Sequence, residues 1–347
     1  MNRKSRIDNT EYIGNFMKKT ICTMSTIGML LAIGLSFATP LHAKPEKPGE
    51  ELTVRVMTYN VCRGGTHWGQ PLSQSAKMIE LAQADIVGLQ EIGKNTVPEL
   101  TKLLGWNHTE TFLTRYEIVE EFKGGGRRPF HGIVVKLPSG QEAYVYNLHL
   151  PHGPYQPELL LGRTNPRYQT KIMKTEAEAI QNAIKNRAKH LARVLKPIAQ
   201  LPNKEAPVFV IGDFNEPSHQ DWTEAAAKAG RHPMKVEWPC SLMMSKAGFT
   251  DAYRTVHPDE MAKPGFTWSG AEPDFKPDDT VHHSDRIDFV YFRGKGLKVT
   301  DAKIIGGNKE NGDIFVSPFP SDHFAVVATL KLATPSGSEK PDANGSK

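Results

Sequence analysis

The stretch Val-Phe-Val-Ile-Gly-Asp-Phe-Asn-Glu-Pro, residues 208–217, decides how the chain is read. Its first half, Val208–Gly212, is a short apolar run of the length and composition of a buried strand. The run ends on Asp213 and Asn215, two groups that make oxygen or amide contacts, and then on Glu216-Pro217. Gly, Asp, Asn and Pro are also the residues of an ordinary turn, so the segment alone does not separate a turn from a site. What separates them is repetition elsewhere in the chain.

The same arrangement, an apolar strand that runs into a polar group, recurs outward in both directions. Leu52–Tyr59 alternates apolar and polar positions and runs into Asn60. Asp85–Gln90 reads as a buried strand and runs into Glu91. Gly132–Leu137 and Glu142–Leu150 read as a strand pair around the Pro138-Ser-Gly turn, with Asn147 and His149 near the end of the second. Ile287–Phe292 carries Asp288, and Ser321-Asp322-His323 opens a last strand, Phe324–Leu332. Between them, Ser73–Ala82, Val97–Leu104 and Thr175–Ala199 have helical spacing. This mixture predicts an α/β or α+β domain with sheets packed inside helices. Strand ends that face one crevice are where such domains build their sites.

Each polar residue also has a plain structural role open to it. Glu91 can be a first-turn acid of a helix over 92–104. His149 can be a satisfied core histidine, and Ser321-Asp-His a surface loop. Asp288 is harder to place in that way. A carboxylate inside an apolar strand needs a partner, Arg286 or a histidine.

The ends of the chain differ from its body. Lys18 and Lys19 precede an apolar run from Ile27 to Ala38, then Pro40 and Ala43, the order of regions in a secretory signal peptide. Residues 1–43 are expected to be removed on export, to a secreted or periplasmic location. Arg3, Lys4, Arg6, Lys18 and Lys19 against Asp8 and Glu11 put that segment at +3, so of a formal net charge of +5 only about +2 remains on the body. A near-neutral body argues against holding nucleic acid by bulk charge alone. Residues 44–51 read as a charged, proline-bearing linker, 52–332 as one domain without repeats, and 333–347 as a disordered tail. Cys62 and Cys240 can pair or remain two buried thiols, and no Cys or His cluster suggests zinc.

Six motifs then stand in order: Met-Thr-Tyr-Asn-Val at 57–61, Val-Gly-Leu-Gln-Glu at 87–91, Tyr-Asn-Leu-His at 146–149, Ile-Gly-Asp-Phe-Asn at 211–215, Arg-Ile-Asp-Phe at 286–289 and Ser-Asp-His at 321–323. The series resembles the endonuclease/exonuclease/phosphatase superfamily of metal-dependent phosphoesterases, which includes pancreatic-type deoxyribonucleases, abasic-site endonucleases, neutral sphingomyelinases and inositol polyphosphate phosphatases. The resemblance implies a four-layered sandwich, two mixed β-sheets flanked by helices, with the site at one edge. It implies Asn60, Glu91 and Asp322 at a metal site, with Glu91 the principal ligand. Asp213 and Asn215 would position the attacking water and the phosphate. His323 would contact the phosphate, Asp288 would orient His323, and His149 would assist the leaving oxygen.

The chemistry asks for such groups independently. Hydrolysis of a phosphate ester needs charge neutralised on the phosphoryl oxygens and a water placed in line. Carboxylates with an amide oxygen suit a hard cation, Mg²⁺ first, with Mn²⁺ or Ca²⁺ as alternatives. The expectation is an exported hydrolase of phosphoric esters, a phosphodiesterase of nuclease or phospholipase type rather than a phosphomonoesterase, because His149 offers leaving-group assistance. A catalytically silent binding module is the reading from another class. Expected partners are a phosphate-ester substrate (nucleic acid, a phospholipid headgroup or a small ester) and no stable protein partner, in a monomer. Two departures from the family pattern stand out. Phe-Leu-Thr-Arg-Tyr-Glu-Ile at 112–118 resembles a worn middle motif. Residues 151–175, with Tyr155, Arg163, Arg167, Tyr168 and Lys171, look like an insertion that is either a substrate rim, a lipid-facing loop or a packed surface excursion.

Overall fold

The computed structural model describes residues 51–126, 128–168, 170–268 and 284–333. The expected signal peptide, all but the last residue of the linker and all but the first residue of the tail lie outside the described residues. The strands are β1 (Glu51–Asn60), β2 (Ile86–Gln90), β3 (Asn107–His108), β4 (Phe112–Thr114), β5 (Glu117–Lys123), β6 (His131–Lys136) and β7 (Glu142–His149). They continue with β8 (Val208–Asp213), β9 (Thr250–Asp251), β10 (Asp288–Arg293), β11 (Leu297–Gly306), β12 (Ile314–Phe315) and β13 (Ala325–Ala333).

They form two mixed sheets, in the order β12-β11-β13-β1-β2-β4-β3 and β5-β6-β7-β8-β10-β9. The layers follow from strand alternation. On β1, Tyr59 turns outward and its hydroxyl meets Ser75 of the helix Leu72–Leu81, while Thr58 bonds Gln90 on the opposite face. On β7, Tyr146 and Leu148 pack with Leu191, Val194 and Ile198 of the helix Lys189–Ala199. Val145, Phe209, Ile211 and Val290 of the six-stranded sheet instead share a core with Val54, Val56, Val326 and Ala328 of the seven-stranded one. Helices therefore cover the outer face of each sheet, and the inner faces meet. This is the expected four-layered sandwich.

Two strand registers set the position of the site. β7 runs parallel to β8 with His149 opposite Asp213, and β10 runs antiparallel to β8 with Asp288 opposite the same Asp213. In the other sheet β1 runs parallel to β2, with Asn60 opposite Gln90. All these polar groups thus end at one edge.

Differences from the sequence reading have local causes. The long helix expected over 175–199 begins on a capping box, Thr175 with Glu178, but is interrupted by a π-turn at Ile184–Ala188. Strand β5 was not expected, because Glu-Ile-Val-Glu-Glu-Phe-Lys is an edge strand whose side chains are largely exposed and charged. Strand β11 escapes the pattern because a bulge between Val299 and Asp301 shifts its alternation. Cys62 and Cys240 are both free and buried, so the two-thiol alternative holds. Among the described residues no helix is long and apolar enough to cross a membrane.

Candidate active site

Asp213 is the centre of the constellation. It is buried at the end of β8, and Gly212 before it has φ +144°, where an added Cβ would lie 2.0 Å from the carbonyl oxygen of Leu148. Only glycine lets β7 and β8 approach so closely at this point. Asp213 Oδ1 accepts the backbone N–H of Asn215 at 2.8 Å, and Oδ2 accepts Nδ2 of Asn215 and of Asn60, each at 3.0 Å. The second Nδ2 hydrogen of Asn215 has the carbonyl of Leu150 at 3.1 Å.

Two imidazoles flank that carboxylate. His149 on β7 has Nε2 3.4 Å from Asp213 Oδ2 and 3.9 Å from Glu91 Oε1. His323, from the loop before β13, has Nε2 3.9 Å from Asp213 Oδ2, and its Nδ1 is 3.0 Å from Asp288 Oδ2. The partner that Asp288 required is therefore the histidine. Arg286, the other partner considered, turns away and pairs with Asp221 and Asp251. Ser321 locks the loop, donating from Oγ to the carbonyl of Asn60 at 2.7 Å and accepting the His323 N–H at 3.1 Å.

The two histidines sit in opposite electrostatic settings. Burial opposes a charge on His323, but the carboxylates of Asp288 and Asp213 outweigh it and carry its pKa to about 10. His323 is an imidazolium at neutral pH. On His149 burial, then the positive charges of Arg128 and His323, push the pKa down to about 3, although a quarter of the side chain stays exposed. This differs from the protonated His149 that leaving-group assistance suggested. In the free protein it is a neutral ring that still donates one N–H. Burial, then Asp288, push Asp213 up to about 7, with His323 opposing. A carboxylate in that range is suited to accept a proton.

Glu91 follows β2 with φ +54°, and Asn215 follows Asp213 with φ +50°. Left-handed backbone at a residue with a side chain costs about 1 kcal/mol or more and concentrates at functional positions. Glu91 and Asp322 line one cavity together with Asn215 and His323. Asp322 Oδ1 is buried and has no hydrogen-bond partner, which is the state of an oxygen that waits for a cation. Asn60 borders them, with Nδ2 3.3 Å from Glu91 Oε1 and Oδ1 accepting Cys62 N–H at 3.0 Å. The donor set is oxygen-rich, so the residues present fit a hard divalent ion. Asp213, Asp288 and His323 also have ligand atoms within 4.8 Å of one another. In that group the Asp288–His323 hydrogen bond already occupies the ring nitrogen facing the acid.

The inter-sheet position of Asn147 supports the same edge. Its Oδ1 accepts Gln90 Nε2 at 2.7 Å and its Nδ2 donates to the carbonyl of Leu89 at 2.9 Å, which joins β7 to β2 one residue before Glu91. Sequence reasoning missed Trp268 and Asp285. Trp268 lines the cavity, which holds about 400 Å³. Asp285 accepts the Tyr155 hydroxyl at 2.6 Å and the Trp222 indole N–H at 2.8 Å. The insertion supplies much of the remaining cavity wall, including Tyr155, Arg167 and Tyr168, while Leu159, Leu160 and Met173 of the same insertion pack against Trp222 and Trp238. The segment at 112–118 contributes β4, paired with β2, and no residue of it lines this cavity.

Residues 57–323 match a family model described as Endonuclease/Exonuclease/phosphatase family. An uncharacterised Caenorhabditis elegans protein is 29% identical over 294 residues, 79% of this chain and 90% of that one. Among solved structures, an endonuclease/exonuclease/phosphatase from Beutenbergia cavernae is similar with a TM-score of 0.51 at 17% identity, over 81% of this chain and 72% of that one. A mannosyl-6-phosphatase of Bacteroides thetaiotaomicron is similar with a TM-score of 0.50 at 18% identity, over 80% of this chain and 99% of that one. At such identities the structural likeness speaks for the fold alone.

Proposed function

Because the chain belongs to the endonuclease/exonuclease/phosphatase family, whose members hydrolyse phosphoric esters, we propose that it is an exported, divalent-metal-dependent phosphodiesterase. The observation that carries the diester reading is the pair of imidazoles on either side of Asp213. His149 and His323 stand 3.4 and 3.9 Å from the same carboxylate oxygen, the first on β7 beside β8 and the second on the loop that leads into β13 of the other sheet. A phosphate between them meets a charged donor on one side and a neutral N–H donor on the other. The second donor serves the departing ester oxygen, a contribution that matters most where that oxygen is a poor leaving group.

In this reading His323, held by Asp288, binds a phosphoryl oxygen as an imidazolium. Asp213, raised towards neutrality, takes the proton of the attacking water, which Asn215 helps to place. His149 donates its N–H to the departing ester oxygen. Glu91 and Asp322 would hold the cation, with Asn60 fixing the Glu91 carboxylate. When bound, a divalent ion withdraws charge from the phosphoryl oxygens. Mg²⁺ is the first choice on ligand chemistry, with Mn²⁺ or Ca²⁺ as alternatives. Export is proposed from Lys18-Lys19, the apolar run Ile27–Ala38 and Ala43, and the substrate is a nucleic acid, a phospholipid headgroup or a small ester.

The test is an assay of an alkyl phosphodiester, bis-(p-nitrophenyl) phosphate and p-nitrophenyl phosphate, with wild type and His149→Ala. The proposal expects diesters to be cleaved faster than the monoester. It also expects His149→Ala to slow the alkyl diester by on the order of 10²-fold and the activated diester far less. A wild-type preference for the monoester, or equal losses on both diesters, would remove the phosphodiesterase reading.

A further inference from the structure

We propose that Arg187 is a positioning residue that holds the 151–156 segment as one wall of the catalytic cavity, and that this wall makes the enzyme favour phosphodiesters whose ester group is a ring that reaches it. The proposal rests on the phosphodiesterase reading above.

Arg187 lies in the π-turn Ile184–Ala188, and its side chain is wholly buried. A π-turn displaces one residue from the regular helical face and is frequent at functional positions. Here it aims the guanidinium's hydrogen bonds at main-chain carbonyls, while the buried carboxylate of Glu216 offsets the burial of its charge. Nε donates to the carbonyl of Pro151 at 2.9 Å, and Nη2 donates to those of Pro154 at 3.1 Å and His152 at 3.3 Å. Nη1 donates to Oε1 of Gln156, whose own Nε2 is fixed 2.7 Å from Asn182 Oδ1. One buried cation therefore ties four residues of a segment that has little regular structure of its own. Removing a guanidinium from water is costly, and an apolar side chain would fill the same space. What an apolar side chain cannot do is hold three carbonyls in a fixed relation.

The same segment is held from its other side. Tyr155 donates its hydroxyl to Asp285 at 2.6 Å, and its ring meets Trp268 edge-on, with centroids 5.3 Å apart. Trp268 is bridged in turn to His323 through the backbone. The wall formed by His152, Pro154, Tyr155 and Trp268 is thus mechanically connected to the catalytic histidine. The cavity it bounds holds about 400 Å³, with Glu91, Asn215, Asp322 and His323 as its floor. A space of that size has room for a ring beside the phosphate. Its charges are of both signs, Arg167 with Glu158, Glu91 and Asp322, which does not suit a long polyanion.

The experiment compares phenyl p-nitrophenyl phosphate, whose phenyl group reaches the wall, with methyl p-nitrophenyl phosphate, which does not. Wild type is expected to show the lower KM on the phenyl ester. In Arg187→Lys, which keeps the charge but not the planar fork, the ratio of phenyl to methyl KM should rise roughly tenfold, the scale of one lost positioning contact. Tyr155→Phe, which frees the wall from Asp285, should move the ratio in the same direction and keeps the test open if Arg187→Lys fails to fold. A folded variant of either kind with an unchanged ratio, or with equal losses of kcat on both esters, would overturn the proposal and leave Arg187 a purely structural residue. Wild type that cleaves both esters with the same KM would do so too, with the phosphodiesterase reading intact. Wild type that cleaves neither would instead overturn that underlying reading.

Discussion

Asp288 shows how much one residue can tell before a structure exists. A carboxylate inside Ile287–Phe292 demanded a partner, and the structure supplies His323 at 3.0 Å. The choice between histidine and Arg286 was not legible, because alternation would put Arg286, two residues from Asp288, on the same face, and only the structure shows that the strand begins at Asp288 and leaves Arg286 outside it. Arg286 belongs to a separate buried cluster with Asp221, Asp251 and Arg254. Asp288→Asn should keep the hydrogen bond but remove the negative charge that holds His323 protonated. Turnover is then expected to fall by on the order of 10²-fold. Since the active form of His323 is the cation, whose pKa Asp288 helps raise to about 10, its alkaline loss should begin at lower pH in the variant. A folded Asp288→Asn protein with wild-type kcat and an unmoved descending limb would rule out this role. Arg187 and Asp285 were invisible at this scale. Their partners are main-chain carbonyls or residues up to 130 positions away, which leave no local pattern in the sequence.

At the scale of elements, the strands that carry the site were readable because each is short, apolar and ends on a polar group. Edge strands were not, because an edge strand such as β5 buries too little to show alternation. The packing of one sheet on the other was also unreadable, and it is close at Gly88 on β2. An added Cβ there would lie 2.6 Å from Ile211 Cδ1 on β8 and 3.0 Å from Asn147 Cγ on β7. The Ile211 methyl can swing aside, whereas Asn147 is fixed by Gln90 and Leu89. Gly88→Val should therefore overpack the interface at a cost of about 1–3 kcal/mol, seen as a loss of roughly 2–12 °C in Tm. It should also lower activity, because Gln90 directly precedes Glu91. An unchanged Tm in the valine variant would show that the sheets have slack at this point.

At the scale of the whole molecule, the site is a seam. Asn60, Glu91 and Asp322 come from strands or loops of the seven-stranded sheet, and His149, Asp213, Asn215 and Asp288 from those of the six-stranded one. The six motifs, read in order, predicted both the sandwich and the gathering of these residues. They did not predict that four carboxylates would meet there with one firmly charged partner, His323. The surplus of negative charge pushes Asp213 up to about 7, after burial, and Asp322 keeps a buried oxygen without a partner. A divalent ion at Glu91 and Asp322 would lower the negative charge at the seam and tie together two carboxylates from different strands or loops of the seven-stranded sheet. Only the folded chain brings these groups together, so the ion should stabilise it by about 2.7 kcal/mol at 100 times its Kd. For a domain of this size that is a rise of several degrees in Tm, at roughly 2–4 °C per kcal/mol. Titration of the chelator-stripped protein with Mg²⁺ and Mn²⁺ by thermal denaturation measures it without any substrate. Glu91→Gln should abolish most of the rise while keeping the fold, because the amide retains the shape but not the charge. A wild-type Tm that does not respond up to saturating metal, or an equal rise in Glu91→Gln, would place the cation elsewhere or remove it from the enzyme.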